Sequence, residues 1–181
     1  TAPRVPRYAQ YLDVRDAKRV FRAMETHRPD LVFHAAALKH VPIVEDNVLD
    51  GIETNVQDTI NVADACVEQG VGVMVLISTD KAVNPTSVMG ATKRIAESYC
   101  QSLDMTVNGS GTRFVTVRFG NVLGSTGSVV PLFQRQLANG GPLTVTHRDM
   151  TRFFMTVREA VELVLQASAL AAGTTEGDGE V

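Results

Sequence analysis

Val73-Met74-Val75-Leu76-Ile77-Ser78-Thr79-Asp80-Lys81-Ala82-Val83-Asn84-Pro85 passes without a break from an apolar run into a cluster of polar side chains, and Met89-Gly90-Ala91-Thr92-Lys93 follows closely. The near-continuous apolar run lacks the alternation of a half-exposed strand and matches a parallel strand covered on both faces. Polar residues gathered where such a strand ends mark the place at which open α/β sheets hold their ligands. A hydroxyl, a carboxylate and an ammonium in succession, Thr79, Asp80 and Lys81, can supply hydrogen bonding, an acid and a base in one cleft. Met89 and Lys93 stand four residues apart and share one face of the following helix. Standing alone, the stretch would also suit an ordinary strand-to-helix loop with solvated charges.

The alternation continues on either side. Candidate strands at 8–13, 31–36, 73–78 and 113–119 alternate with helical segments at 16–28, 47–69 and 88–103, the signature of a parallel sheet covered by helices. Segment 16–28 carries Ala17, Val20, Phe21 and Met24 at helical spacing, and Pro29 stops it. In 47–69, Ile52, Val56, Ile60, Ala63 and Val67 form the expected apolar face, with Gly70 as the C-terminal stop. Beyond 119 the pattern loosens into a Gly/Ser-rich loop at 120–128, a short helix at 129–138 and a short strand at 143–146. Thr156-Val157-Arg158-Glu159 is a capping box that opens a last helix to about 169, and the polar tail 171–179 is expected to fray. The fold class is therefore α/β, a Rossmann-like doubly wound parallel sheet. It reads as incomplete, because no GxGxxG turn occurs and the late glycine cluster at 120–127 follows the wrong strand. Either the fold binds no dinucleotide, or the segment with that turn lies outside this stretch.

Composition excludes several classes. The chain has 181 residues, 44% of them hydrophobic, and a formal net charge of −3, which suits one globular domain and offers no basic field for nucleic acid. No apolar run approaches the roughly 18–20 residues of a membrane span, and no signal segment opens the chain. Cys66 and Cys100 lie far apart with no histidine beside them, so they read as reduced core thiols, with no disulfide and no metal site. Arginine outnumbers lysine 13 to 4, which makes Lys18, Lys39, Lys81 and Lys93 stand out as candidates for chemistry that arginine performs poorly.

The ordered motifs carry more than any one of them. Asp13-Val14-Arg15-Asp16, the run 34–40 (His-Ala-Ala-Ala-Leu-Lys-His), Thr54-Asn55-Val56, Ser78-Thr79-Asp80-Lys81, the run 89–93, the run 117–125 and Met150-Thr151-Arg152-Phe153-Phe154 occur in this order. Together they resemble the extended short-chain dehydrogenases/reductases, in particular the nucleotide-sugar 4,6-dehydratase branch of bacterial polysaccharide biosynthesis (CapD-like). The resemblance covers 8–170. It implies a partial NAD-binding core over 1–119, with a catalytic segment at 77–93, then a substrate-binding region at 120–170 and a frayed tail at 171–181.

The resemblance also implies roles. Thr79, Asp80, Lys81 and Lys93 are the catalytic set, with Met89 where most of the superfamily has tyrosine. Asp13 and Val14 flank the adenine. Ala35, Ala36 and Ala37 let the strand end lie against the cofactor, Asn55 braces the site, and Ser78 and Lys93 complete the cofactor contacts. Lys39, His40, Asn121 and Arg152 are implied as substrate contacts, Arg152 because its fork suits a diphosphate. The cofactor is NAD, with NADP left open, and the substrate a UDP-sugar, UDP-N-acetylglucosamine being the commonest case in this branch. A C4 epimerase of the same fold and a non-catalytic nucleotide-binding module are the alternatives. A cytoplasmic homo-oligomer is implied, with an anchor at the cytoplasmic face of the membrane left open for a full-length protein.

Dinucleotide affinity in this fold leans on backbone N–H groups of the glycine-rich turn and on the helix N-terminus behind it. Because the family's turn precedes the position matched by Asp13, the 181-residue chain is expected to bind NAD weakly or not at all and to self-associate through an open sheet edge. Titration calorimetry with NAD checks this; micromolar binding by this chain would mean that the cofactor site is misplaced.

Overall fold

The computed structural model describes residues 6–106, 111–125, 129–145 and 147–173. Three parallel strands, β1 (Leu31–His34), β2 (Val73–Thr79) and β3 (Arg113–Phe119), form one sheet in the order β1-β2-β3. Val73 pairs with Leu31 on one side and Arg113 on the other, so β2 is the central strand. Its alternate residues enter two cores. Met74 and Leu76 join Val20, Val62, Cys66, Ala96, Cys100 and Phe114 on one face, while Val73 and Val75 pack with Val117 and Ala171 on the other. Burial on both faces is why the run carries no polar alternation.

The helices supply the two coats. On the first face lie α1 (Ala17–His27), capped by the Asp16 side chain, then α4 (Asp58–Gln69) and α5 (Val88–Thr106). Gly70 ends α4 in the left-handed conformation (φ +66°). The second face is covered by α7 (Val157–Gly173), opened by the expected box: Glu159 accepts from the Thr156 N–H at 2.6 Å and donates its own N–H to Thr156 Oγ1 at 3.2 Å. The helix α6 (Val129–Ala138) stands where the sequence places it.

Several expectations are corrected. Residues 8–13 form no strand, and Tyr8 and Tyr11 face solvent, because no other described strand pairs along that segment. Strand β1 stops at His34 rather than 36 and leaves Leu31 and Phe33 exposed, as suits a strand at the sheet's edge. The single helix expected at 47–69 is three pieces: α3 (Val48–Ile52), a π-helical turn (Glu53–Gln57) and α4, with a further short helix, α2 (Val41–Asp46), before them. The extra residue of the π turn rotates everything after it. Of the expected apolar face Val56 and Ala63 are buried, joined by Asn55, Thr59, Val62 and Cys66, while Ile52 and Val67 are 42% and 41% exposed. Within the expected loop, Asn121–Val122 (β4) pairs in parallel with Phe154–Met155 (β5). Residues 143–145 form no strand, and residues 126–128 and 146 lie outside the described set. The tail expected to fray at 171 is helical to Gly173, Ala171 being buried against the sheet; 174–181 lie outside the description.

Gly90, early in α5, sits against the loop that follows β2. A Cβ there would press on the Lys81 carbonyl oxygen and contact Pro85 Cβ at 3.2 Å. Gly90→Ala is therefore expected to destabilise the chain by about 1–3 kcal/mol through overpacking, read as a lower midpoint in urea. An unchanged midpoint would show that α5 can lift off this loop at little cost.

Candidate active site

All three sheet strands point the same way, so the segments after His34, Thr79 and Phe119 gather at one edge, the carboxyl edge where such sheets hold ligands. They enclose a cleft of about 530 Å³. Ala35, Ala37, Lys39 and His40 line it from the loop after β1, Ser78, Thr79 and Lys81 from the end of β2, Met89 and Lys93 from α5, and Asn121 from β4. A second cleft, of about 650 Å³, adjoins it across Val41 and Lys81 and contains Asp80, Asn84 and Arg152.

The trio is a hydrogen-bonded unit. Thr79 Oγ1 donates to Asp80 Oδ1 at 2.9 Å and accepts the Lys81 N–H at 3.3 Å, which starts a one-turn helix over Asp80–Ala82. Lys81 Nζ reaches Asp80 Oδ1 at 3.0 Å and Asn121 Oδ1 at 3.5 Å. Partial burial pushes the Asp80 carboxyl up, but hydrogen bonds from Lys81 and Thr79 outweigh it and hold the group below the usual aspartate range. Lys93 differs from Lys81: it is 5% exposed, and burial pushes its ammonium below the usual lysine range, against the opposing pull of Asp58 and Glu97. Met89 is buried at the cleft wall, apolar where a proton donor would otherwise stand.

Asn55 fixes the loop after β1. Its amide oxygen accepts the Leu38 N–H at 2.7 Å, and Nδ2 donates to the Leu38 carbonyl and to Thr92 Oγ1, both at 3.0 Å. The other sequence-derived positions are dispersed. Asp13 lies in a separate groove with Arg15, Leu38 and Thr54, its carboxyl lowered to about 2 by hydrogen bonds from Arg15. Val14 packs on the core, and its carbonyl accepts from Asn61 Nδ2 at 3.1 Å. Ala36 does not line the cleft between its two neighbours. Arg152 is exposed and donates to the Thr151 carbonyl. His40 precedes α2 without capping it through its side chain.

Sequence reasoning missed the group that anchors Ser78. Ser78 Oγ donates to Glu97 Oε1 at 2.5 Å, and Arg118 grips the same carboxylate with two nitrogens. Burial pushes the Glu97 carboxyl up, and the hydrogen bonds from Arg118 and Ser78 outweigh it and hold it below the usual glutamate range. Its spacing of four residues from Lys93 was the available signal. Burial pushes both Cys66 and Cys100 up to about 12, so neither thiol is a nucleophile. Among the described residues no cluster could hold a metal ion, and no helix is long and apolar enough to cross a membrane.

A parallel sheet coated by helices, with a polar cleft at the carboxyl edge of its strands, is a Rossmann-like α/β fold. Within that class the chain belongs to the polysaccharide biosynthesis protein family, whose model matches residues 4–176. It is 56% identical over 161 residues to the capsular polysaccharide biosynthesis protein CapD of Staphylococcus aureus, covering 89% of this chain and 26% of the relative. It is 44% identical over 154 residues to the inverting UDP-N-acetylglucosamine 4,6-dehydratase of Campylobacter jejuni, covering 84% of this chain and 46% of that enzyme. The crystal structure of the UDP-glucose 4-epimerase of Thermus thermophilus in complex with NAD superposes with a TM-score of 0.74 at 26% identity, covering 89% of this chain and 53% of that one. The chain thus spans between a quarter and a half of the length of these curated relatives.

The Glu97 carboxylate has its folded-state pKa below the ordinary 4.5. Its stabilisation is therefore present above that value and lost as pH falls through the folded-state value. Glu97→Gln is expected to cost on the order of 2 kcal/mol near neutrality, below the roughly 3–5 kcal/mol of a fully buried broken pair because Arg118 keeps solvent contact. The gap from the parent in urea melts should narrow on the acid side. A pH-independent gap would remove ionised Glu97 from the account.

Proposed function

We propose that this chain carries the catalytic segment of a nucleotide-sugar 4,6-dehydratase that works with NAD on a UDP-linked hexose, UDP-N-acetylglucosamine being the first candidate. The observation that carries the reading is the meeting of Thr79, Lys81, Met89, Lys93 and Asn121 in one cleft, with Asp80 tied to Thr79 and Lys81. The residues present suit that cofactor. Ala35 and Ala37 leave room for a flat ring system, and Lys93 lines the same cleft without an internal hydrogen bond for its ammonium. Lys93 and Ser78 would hold the nicotinamide–ribose half, and Arg152 with Asn121 would meet the sugar diphosphate. Residues 1–119 would then serve the cofactor and 120–170 the substrate. Bound NAD supplies the acceptor, and later the donor, of the hydride that moves from sugar C4 to C6.

The residues' own work is proton transfer. Asp80, held below the usual aspartate range, stands ready as a base. Through the Thr79 hydroxyl it takes the C4 hydroxyl proton, the task that Met89 cannot perform. That proton makes Asp80 the acid that then releases the C6 hydroxyl as water. Once C4 is a ketone the C5 proton is acidic. Lys81 is the group placed to remove it and to return it to C5, so the net change is loss of one water.

A C4 epimerase is the second reading, favoured by the likeness to the Thermus epimerase. It would oxidise C4 and return the hydride without elimination. Incubation of this chain extended at its N-terminus by a relative's glycine-rich turn with UDP-N-acetylglucosamine and NAD separates the two, since only a dehydratase yields a 4-keto-6-deoxy sugar. In that chain Asp80→Asn and Lys81→Ala should each lower kcat by roughly 10²-fold or more while KM changes little. Either variant within a few-fold of the parent would remove its residue from the mechanism. Met89→Tyr should not raise turnover, and a strong gain would mark the methionine as a lesion.

A further inference from the structure

Asp58, the first residue of α4, is fully buried, and its Oδ2 stands alone among the buried side-chain atoms of the described residues in having no hydrogen-bond partner. Its Oδ1 lies 3.4 Å from Thr59 Oγ1 and 3.6 Å from His34 Nε2. Neither group serves it well. Thr59 has one hydroxyl proton, and its shortest acceptor is the Asn55 carbonyl at 2.9 Å. His34 Nε2 is closer to that hydroxyl, at 3.1 Å, than to the Asp58 carboxylate. A buried carboxylate left without hydrogen bonds or a cation is costly, and a nearby cation would offset that cost.

Helix geometry supplies one. Asp58, Val62 and Cys66 follow one another at four-residue steps along α4, and Lys93, Ala96 and Cys100 mark one face of α5. Val62, Cys66, Ala96 and Cys100 pack in a single core cluster, so the two faces oppose each other. Asn55, three residues before Asp58, is hydrogen-bonded to Thr92, the residue before Lys93. Asp58 and Lys93 thus occupy the same end of the helix pair. The other titratable groups that face them are His34 on β1, beside Asp58, and Glu97 and Cys100 on α5, which act on Lys93. Glu97 is already bonded by Arg118, Ser78 and Arg94, whereas no described group hydrogen-bonds the Lys93 ammonium.

We propose that Asp58 is a positioning residue whose buried carboxylate is the counter-charge of Lys93, keeping that ammonium protonated and facing the cleft. Its consequence for cofactor binding rests on the reading of Lys93 given above, but the pairing itself does not. With only four lysines, the chain can be labelled with ¹³C-lysine and the side-chain signals of Lys18, Lys39, Lys81 and Lys93 assigned by single Lys→Arg changes. Titrated by NMR, the Asp58→Asn chain should show Lys93 losing its proton about one pH unit or more below the parent, a tenfold or larger drop in proton affinity, with Lys18 and Lys39 unmoved. An unchanged Lys93 midpoint in the folded variant overturns the proposal. Should Asp58→Asn not fold alone, Lys93→Met decides. Adding Asp58→Asn to it should raise the urea midpoint by removing an unopposed buried charge, and a double variant no more stable than Lys93→Met overturns the pairing. Absence of dehydratase turnover in the longer chain would sink the functional reading and leave this titration standing.

Discussion

The Asn55 side chain holds two parts of the molecule that the backbone alone would leave independent. Its amide completes both hydrogen bonds of the Leu38 peptide, as a neighbouring strand would, and its remaining N–H reaches Thr92 on α5. The loop after β1 and the helix that carries Met89 and Lys93 are therefore set against each other by one fully buried group. The π turn around it makes this reach available, because the extra residue swings Asn55 inward and carries Asp58 and Thr59 to the buried side after it. Loss of that turn would restore the regular apolar face and withdraw the clamp.

Around the clamp, charges are sorted by burial. Glu97 is interior but neutralised by the two nitrogens of Arg118, and its role is mechanical: it draws the ends of β2, β3 and α5 together and fixes the Ser78 hydroxyl. Asp80 and Lys81, each about a third exposed, form a pair that solvent and substrate can still disturb. Exchange of partners costs little in such a pair and much in a saturated, buried one. Lys93 occupies the third situation, buried and without a hydrogen bond, as suits a cation awaiting a ligand.

Membership of the polysaccharide biosynthesis family fits this arrangement. Met89 makes its part of the cleft wall apolar, and across the cleft the Thr79 hydroxyl and the Asp80 carboxylate are joined at 2.9 Å. The adjoining cleft, with Asp80 and Arg152 facing it, gives the second half of a large ligand a place beside the first.

The three strands of the main sheet, the two coats of helices and a polar cleft at the carboxyl edge were legible in the sequence, because β2 must be apolar on both faces and its polar end breaks that pattern abruptly. The capping box and Gly70 were legible for the same reason: each is a local solution to unsatisfied backbone groups. The strand expected at 8–13 failed, since a strand is defined by a partner and no local pattern can supply one. The helical span at 47–69 was legible, with Val56 and Ala63 turned inward as expected, but its break into three pieces and the burial of Asn55, Asp58 and Thr59 were not, because a one-residue π insertion leaves no trace in apolar periodicity. Glu97, Arg118 and Asp58 were invisible as a group for a related reason. Each reads alone as a solvated surface charge, and only the packing of α4, α5 and β3 takes them out of water and decides which opposite charge each one meets.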